Sequence, residues 1–344
     1  MSRQMRTEFE EGSTHGDAVR SYLIEVRQYL DRAFGMELGA ILGKVGNGRA
    51  LVEDLNEGKK IRGCLTCLVG ESLGASRELV IPRAVAIELI QAATLIHDDY
   101  VDGDTMRRGR PAAWAVVGGR RAVLVGDVMF ASAIAKMCGL SREDGAAAAD
   151  AIALISRGAL YEPLEAGDLD LFAKNGEPDR ALYDKIIFLK TGVLFGAACE
   201  VGAIAAEAEE ETRRACYTFG VTVGRAYQMA DDLTDIHRFI GSRILTPENL
   251  ISLGPAIARF VPGSSGLIRT FLDRETFSFT ENVATLLRKV KVSLENAIEE
   301  TLESATRSLR EALPADPSND LLYAVPSVIV EAFMSSEVSK AAKA

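Results

Sequence analysis

The sequence predicts an all-α fold, and three observations carry that prediction. Hydrophobic residues make up 48% of the 344 residues, mostly Ala, Leu, Ile and Val in long runs of helical period. The alternating pattern of half-buried strands is scarce. Two acidic triads, Asp98-Asp99-x-x-Asp102 and Asp231-Asp232-x-x-Asp235, each close an apolar helical run. The length exceeds the usual range for one domain. No Pro/Gly/Ser-rich linker divides the chain, however, and both triads would have to serve one site. One domain over 15–344 is therefore expected.

Residues 1–14 are polar and charged, and a disordered tail is expected there. Asp17 caps a first helix with the stripe Val19, Leu23, Val26, Leu30 and Phe34, which Gly35 ends. Gly58 allows a tight turn into a helix over about 62–73. In Gly58-Lys59-Lys60-Ile61-Arg62, three cations precede or open that helix, an arrangement that suits a diphosphate or a basic surface turn. Cys64 and Cys67 form a lone CxxC and read as core thiols more than as redox or zinc ligands. A helix over 80–104 carries the first triad, 109–119 form a loop in which Trp114 packs, and 122–138 form another helix. The helix over 142–172 holds Glu162, Glu165, Asp168 and Asp170 and is kinked by Pro163. Those acids belong to a site or to a solvated face. Helices over 183–206 and 212–235 come next, the second carrying the Asp231 triad. An amphipathic helix over 280–312 has Leu287, Val290, Leu294, Ile298, Leu302 and Leu309 on one face. A last helix over 319–336 is broken or kinked near Pro326.

The triads carry the chemistry. Asp98 and Asp102, at i and i+4, stand on one helix face and can grip one cation, with Asp99 about 100° round the barrel. Four acids this close, counting Asp104, repel unless something positive joins them. Oxygen ligands alone favour a hard ion, and Mg²⁺ held by one or two carboxylates commonly also holds substrate phosphates. Arg107 and Arg108 supply the forked donors that suit phosphate oxygens. One such cluster is as readily a solvated helix end as a site. A second at Asp231, Asp232 and Asp235, facing the first across a diphosphate, is hard to read as decoration.

Composition excludes several classes. The formal charge of −10 argues against nucleic acid or anionic membrane as partners. Five cysteines, an odd count with no signal-like segment, point to a reducing cytoplasm. No run of 18 apolar residues exists, since Asp150 and Arg157 interrupt the Ala-rich stretch. Neither Ser/His/Asp nor Cys/His arrangements are evident, and His97 and His237 offer no Glu-x-x-His pair for a di-iron bundle.

Taken together, the motifs from Gly58 to Asp235 resemble the trans-isoprenyl diphosphate synthases, the polyprenyl synthase family of farnesyl, geranylgeranyl and longer-chain enzymes. The resemblance covers about half the chain. It implies a helical bundle around a central cavity, a homodimer, and Mg²⁺-dependent condensation of isopentenyl diphosphate with an allylic diphosphate. Carried onto this sequence, it makes Asp98, Asp99, Asp102, Asp231, Asp232 and Asp235 the metal residues. Lys59, Arg62, Gln91 and Arg108 would hold isopentenyl diphosphate. Arg107, Lys190 and Thr191 would hold the allylic diphosphate, with Gln228 one turn ahead of the second triad. Asp98, Asp102, Asp231, Lys190 and Arg107 would carry catalysis. Lys190, in apolar company, is either this ligand or a stem snorkelling outward. His97 is expected as a hydrogen-bonded neighbour of the triad, and Gly126-Asp127 matches a family pair that packs or bonds nearby.

Chain length is read at Ile90, Ala93 and Thr94, one to two turns before Asp98. All three are small or medium, which implies products of twenty carbons or more. Two departures stand out. Tyr161-Glu162-Pro163 replaces the family's common Gly-Glu and Gln, and no lysine comes after Asp235 until Lys289, leaving Arg238 or Arg243 as candidate substitutes. The alternatives are a weakly active or non-catalytic partner subunit, and a class I terpene cyclase, which would need no basic isopentenyl site.

Overall fold

The computed structural model describes residues 3–43, 48–163, 173–174, 177–178, 181–264 and 279–341. Among these the regular secondary structure is helical apart from two short antiparallel pairs, Met106–Arg107 with Arg110–Pro111 and Ala173–Lys174 with Glu177–Pro178. It divides into two compact units. The first comprises Met1–Ala153, Leu194–Gly220 and Thr306–Val328, and the second Leu154–Val193, Val221–Ala305 and Ile329–Ala344.

In the first unit, α1 (Arg3–Leu42) starts well before Asp17, so most of the stretch expected to be a disordered tail is helical. That stretch has no proline, and its Glu and Arg residues favour helix. Nor does Gly35 end the helix. The stripe Val26, Leu30 and Phe34 goes on to Leu38 and Leu42, all buried, and a Cβ at Gly35 would lie 3.2 Å from the Asn56 amide. Gly35 there serves close packing. Helices α2 (Gly48–Asn56), α3 (Ile61–Ser72) and α4 (Arg77–Val101) come next, and α4 packs against α1, α3 and α6 (Gly119–Cys138). Cys64 and Cys67 are free, buried thiols packed with Val26, Leu30, Val80 and Ala84, as expected of core residues.

The helix over 142–172 is shorter than the sequence suggested. It ends as α7 (Arg142–Ala159), so Glu162 and Pro163 lie beyond the helix and do not kink it. Glu165, Asp168 and Asp170 lie outside the described residues. The run expected over 183–206 is α8 (Ala181–Ile187), one π-helical turn (Phe188–Gly192) and α9 (Val193–Ala205).

The second unit packs Ile187, Met229, Leu233, Leu287, Val290 and Leu294 into one core. Its α10 (Glu210–Ser242, beginning in the first unit) runs two turns past Asp235. A helix the sequence reading missed, α11 (Pro247–Phe260), is opened by a capping box in which Thr246 and Asn249 exchange hydrogen bonds. Helices α12 (Glu281–Ala312) and α13 (Asp320–Ala341) close the chain, and α13 continues through Pro326 without ending. Two helical runs, Arg77–Val101 and Ala181–Ala205, are long and apolar enough to cross a membrane. Their apolar windows are 72% and 78% buried, which is how core helices of folded domains read.

Candidate active site

The first acidic cluster ends α4. Upstream, Ile87, Leu89, Ile90 and Ala93 are fully buried and anchor the helix. The last turn is intact, since the Asp102 N–H donates to the Asp98 carbonyl at 2.8 Å. Asp98 is half-buried and Asp102 exposed, so water and ligands reach both. Asp99 is buried, and both its carboxylate oxygens accept from Arg107 Nε at 2.6 and 2.7 Å, with Arg107 Nη2 adding a contact. The turn after α4 explains that pairing. Arg107 pairs with Arg110 across a two-residue hairpin whose central residues, Arg108 (φ 53°) and Gly109 (φ 78°), are both left-handed. This is the type I′ requirement, and glycine meets half of it without strain. Trp114, expected in a loop, sits on the short helix α5 (Ala113–Val117) and donates Nε1–H to the Asp104 carbonyl at 2.7 Å.

His97 is a neighbour of the triad. Its Nε2 lies 3.0 Å from the Val123 carbonyl, which can only accept, so Nε2 carries the proton. Asp127 stands 3.6 Å from the same nitrogen. A Cβ at Gly126 would fall 2.2 Å from it. Of the roles left open by the sequence, the structure gives Gly126 packing, since the glycine admits the imidazole, with Asp127 beside it.

A basic cluster opens α3 in the same unit. The left-handed residue in its turn is Lys60 (φ 52°), not Gly58. Lys60 is also the buried member of the lysine pair, donating to the Asn56 carbonyl at 2.8 Å and lying 4.5 Å over the Phe34 ring. Burial pushes its pKa down, while Glu88 and Asp31 oppose the fall. Arg62 stacks 4.6 Å over Phe195. Arg108 joins the cluster, its Nη1 lying 3.8 Å from where a Gly58 Cβ would be and Lys60 Nζ 3.3 Å from the same point. Beneath these cations sits Glu88, which sequence reading missed. It is buried on α4 and accepts from the Gly63 N–H at 2.7 Å. Burial raises its pKa, and Lys60, Arg62 and Arg108 oppose the rise. The signal was available as a lone acid in the apolar run Val85-Ala86-Ile87-Glu88-Leu89-Ile90. Lys59 and Gln91 are half-buried in this unit, and the Gln91 carbonyl accepts from the Thr94 hydroxyl at 2.8 Å.

In the second unit, the π-helical turn carries Lys190 and Thr191. One extra residue per turn rotates the side chains beyond it, and such turns often mark functional sites. Lys190 Nζ lies 2.7 and 2.5 Å from the two oxygens of Glu162, so it is not a surface residue snorkelling outward. The Thr191 hydroxyl donates to Gln228 Oε1 at 2.6 Å. Gln228 Nε2 then reaches Asp231 at 3.3 Å and Asp232 at 3.1 Å. The other Asp232 oxygen accepts from the Tyr183 hydroxyl at 2.5 Å. Burial pushes Asp232 up to about 7; Tyr183 and Gln228 pull it back, and Asp231 pushes with burial. Asp235 pairs with Arg238 at 2.8 Å, one turn on. Arg243 lies 3.7 Å from Glu281.

Among the described residues, no three His, Cys, Asp or Glu side chains are grouped as a ready metal site. In each triad the middle acid is turned to protein donors. Asp98 and Asp102 in the first unit, and separately Asp231 in the second, offer hard carboxylate oxygens within reach of solvent. Oxygens of this kind suit a divalent cation that shares its coordination with phosphates and water. On the α4 face read for chain length, Ile90 and Ala93 are fully buried and Thr94 is half-buried.

A family model described as polyprenyl synthetase matches residues 49–239. A short chain isoprenyl diphosphate synthase of Methanocaldococcus jannaschii is 35% identical over 179 residues, 52% of this chain and 54% of that one. The chain thus spans about half the length of that relative. An octaprenyl diphosphate synthase of Escherichia coli is 27% identical over 284 residues, 80% of this chain and 86% of its own. A crystal structure of a polyprenyl synthase from Caulobacter crescentus, complexed with calcium and isoprenyl diphosphate, superposes with a TM-score of 0.65. It is 28% identical and covers 90% of this chain and 97% of that one.

Proposed function

The chain belongs to the polyprenyl synthetase family, and on that premise we propose that it condenses isopentenyl diphosphate with an allylic diphosphate to make a trans-polyprenyl diphosphate. The observation that carries this reading is the first unit's pairing of reachable carboxylates with a cluster of cations, where Arg108 meets the Gly58–Arg62 turn. A terpene cyclase would have no use for that second anion site.

Asp98, Asp102 and Asp231 would hold Mg²⁺, which would supply positive charge to stabilise a diphosphate leaving group. Lys190 and Thr191 take the allylic diphosphate, and Lys59, Arg62, Gln91 and Arg108 hold isopentenyl diphosphate so that its double bond meets the allylic carbon. Arg107 belongs to this machinery by compensating buried Asp99, which keeps the α4 terminus in shape. The proton lost at the end goes to the departing pyrophosphate, so no side-chain base is required. Incubation with isopentenyl diphosphate, each allylic primer and Mg²⁺ should give elongated products, and EDTA should abolish them. Full activity in EDTA would overturn the reading.

A second reading, a weakly active or partner subunit, rests on one observation. Arg238 and Arg243, the candidates to replace the missing lysines, are turned to Asp235 and Glu281. Absence of turnover by the chain alone, restored by a second synthase subunit, would favour it.

In this reading the chain is a cytoplasmic enzyme and pairs with a second copy. The exposed side of α6 supports the pairing, since Leu124, Val128, Ala131, Ala135 and Cys138 form an exposed stripe at heptad spacing. Light scattering should show a dimer that Leu124→Glu with Val128→Glu converts to monomer.

Products of twenty carbons or more are expected from the small side chains at Ala93 and Thr94. Because Ala93 has no exposed surface and Thr94 does, Thr94→Phe should shorten the product cleanly. Ala93→Phe should shorten it while also costing roughly 1–3 kcal/mol of overpacking. A wild type that stops at fifteen carbons, or mutants with unchanged products, would move length control elsewhere.

A further inference from the structure

The condensation proposed above assigns no role to Glu162. It lies just beyond α7, and both of its carboxylate oxygens face the Lys190 ammonium at 2.5 and 2.7 Å. Both side chains are about a quarter exposed, 27% for Lys190 and 23% for Glu162. The pair is thus more sheltered than an ordinary surface ion pair and less screened by salt. An ammonium has three N–H donors, and two of them face this carboxylate.

The neighbouring cations of the second unit have partners of their own. Lys185 lies 3.3 Å over the Tyr161 ring. Arg225 and Arg259 share Asp184, at 3.2 and 2.9 Å, and Arg238 pairs with Asp235. Among the described residues of this region, Lys190 is the cation that Glu162 engages with two oxygens.

We propose that Glu162 is a positioning residue that sets the affinity of the allylic site, by competing with the substrate diphosphate for Lys190. The inference rests on Lys190 being a diphosphate ligand. An ionised carboxylate only accepts hydrogen bonds, so it can give nothing to a phosphate oxygen and repels its charge. For the diphosphate to seat, the ion pair must open or the two anions must share one ammonium. Either route weakens substrate binding relative to a neutral residue of the same shape. Glutamine is that residue. Its amide oxygen still accepts from Lys190, and its NH₂ can donate to phosphate. The weakened hold acts equally on a diphosphate product, so Glu162 also speeds release.

The test compares wild type, Glu162→Gln, Lys190→Ala and the double variant. Calorimetric titration with inorganic diphosphate, with and without Mg²⁺, needs no turnover. Glu162→Gln should bind diphosphate about tenfold tighter, the size expected when one partly screened like-charge contact is removed. Its KM for the allylic substrate should fall by a similar factor while KM for isopentenyl diphosphate stays put. Lys190→Ala should weaken diphosphate binding and erase the gain in the double variant. If Lys190→Ala weakens binding but Glu162→Gln leaves it unchanged or weaker, the competitor role is overturned and Lys190 keeps its assignment. If Lys190→Ala has no effect, that assignment fails and the inference falls with it. Melting temperatures within a few degrees of wild type confirm that the variants report on binding and not on folding.

Discussion

In the first unit the middle acid of the triad, Asp99, is buried against a guanidinium. In the second unit the middle acid, Asp232, takes a phenolic hydroxyl and a carboxamide instead. The spacing Asp-Asp-x-x-Asp is the same and the outer acids are similarly reachable, but the charge compensation is not. Arg107 stays cationic across the working pH range, so Asp99 faces a full opposite charge. Tyr183 and Gln228 are neutral, and burial therefore dominates at Asp232. One motif is thus built in two electrostatic ways. The middle acid in each is held by protein donors, Asp99 at the end of α4 and Asp232 within α10.

The largest expected effects separate outer from middle acids. Asp98→Ala or Asp231→Ala should lower turnover by on the order of a hundred- to a thousand-fold, because each removes charge stabilisation that grows toward the transition state. Melting temperature should hardly move. Asp99→Ala should do the reverse first, costing roughly 2–4 kcal/mol of stability by leaving Arg107 half-buried without its carboxylate. Wild-type turnover in either outer mutant, or an unchanged melting temperature for Asp99→Ala, would break the distinction.

The next effect concerns the two anion sites. Lys59→Ala and Arg62→Ala, both first-unit changes, should raise KM for isopentenyl diphosphate by roughly 10–100-fold, the worth of one charged hydrogen bond. Lys190→Ala should raise KM for the allylic primer similarly. Steady-state kinetics with each substrate varied in turn decides it. Equal losses for both substrates in every mutant would mean that the two units do not divide the substrates in this way.

How much of this is legible in the sequence depends on which interactions are local. The stripes that make α1, α4 and α12 are periodic, so existence and burial are readable, as Val290 and Leu294 show. Their ends are not. A helix runs on while its stripe is buried, and Gly35 reads as a stop only because its packing against Asn56 is a tertiary fact. The acids of the triads are conspicuous, but their division of labour is not. It depends on Tyr183, 49 residues before Asp232, and on a hairpin that folds Arg107 back onto Asp99. Glu88 and Glu162 have no assignable role in sequence because only their partners, Gly63 and Lys190, give them meaning. The π-helical turn leaves no pattern in an apolar run that reads equally well as α-helix.

The smallest expected effect tests the comparison through pH. Burial lifts the Asp232 carboxyl from an ordinary 3.8 to about 7, so the folded chain holds that proton more tightly than the unfolded chain does. Between pH 4 and 7 the unfolded state has released the proton while the folded state keeps it, and stability falls as pH rises through that window. Below the window both states are protonated and the difference vanishes; above it the full cost is present. The shift converts to an upper bound, and partial solvent access reduces it to on the order of 1–2 kcal/mol. Asp232→Asn mimics the protonated acid and keeps an oxygen for the Tyr183 hydroxyl. Relative to wild type it should gain stability at pH 8, and at pH 5, where only part of the cost has accrued, it should gain clearly less, offset further by the Gln228 contact. Asp99→Asn, which removes the charge facing Arg107, should lose stability at pH 8 instead. Thermal melts of the three proteins in EDTA at both pH values are sufficient, the chelator keeping any cation from competing with the proton. If Asp232→Asn is destabilised as much at pH 8 as at pH 5, Asp232 is ionised in the fold and Tyr183 and Gln228 compensate it as well as a guanidinium would. The two clusters would then be electrostatic equivalents.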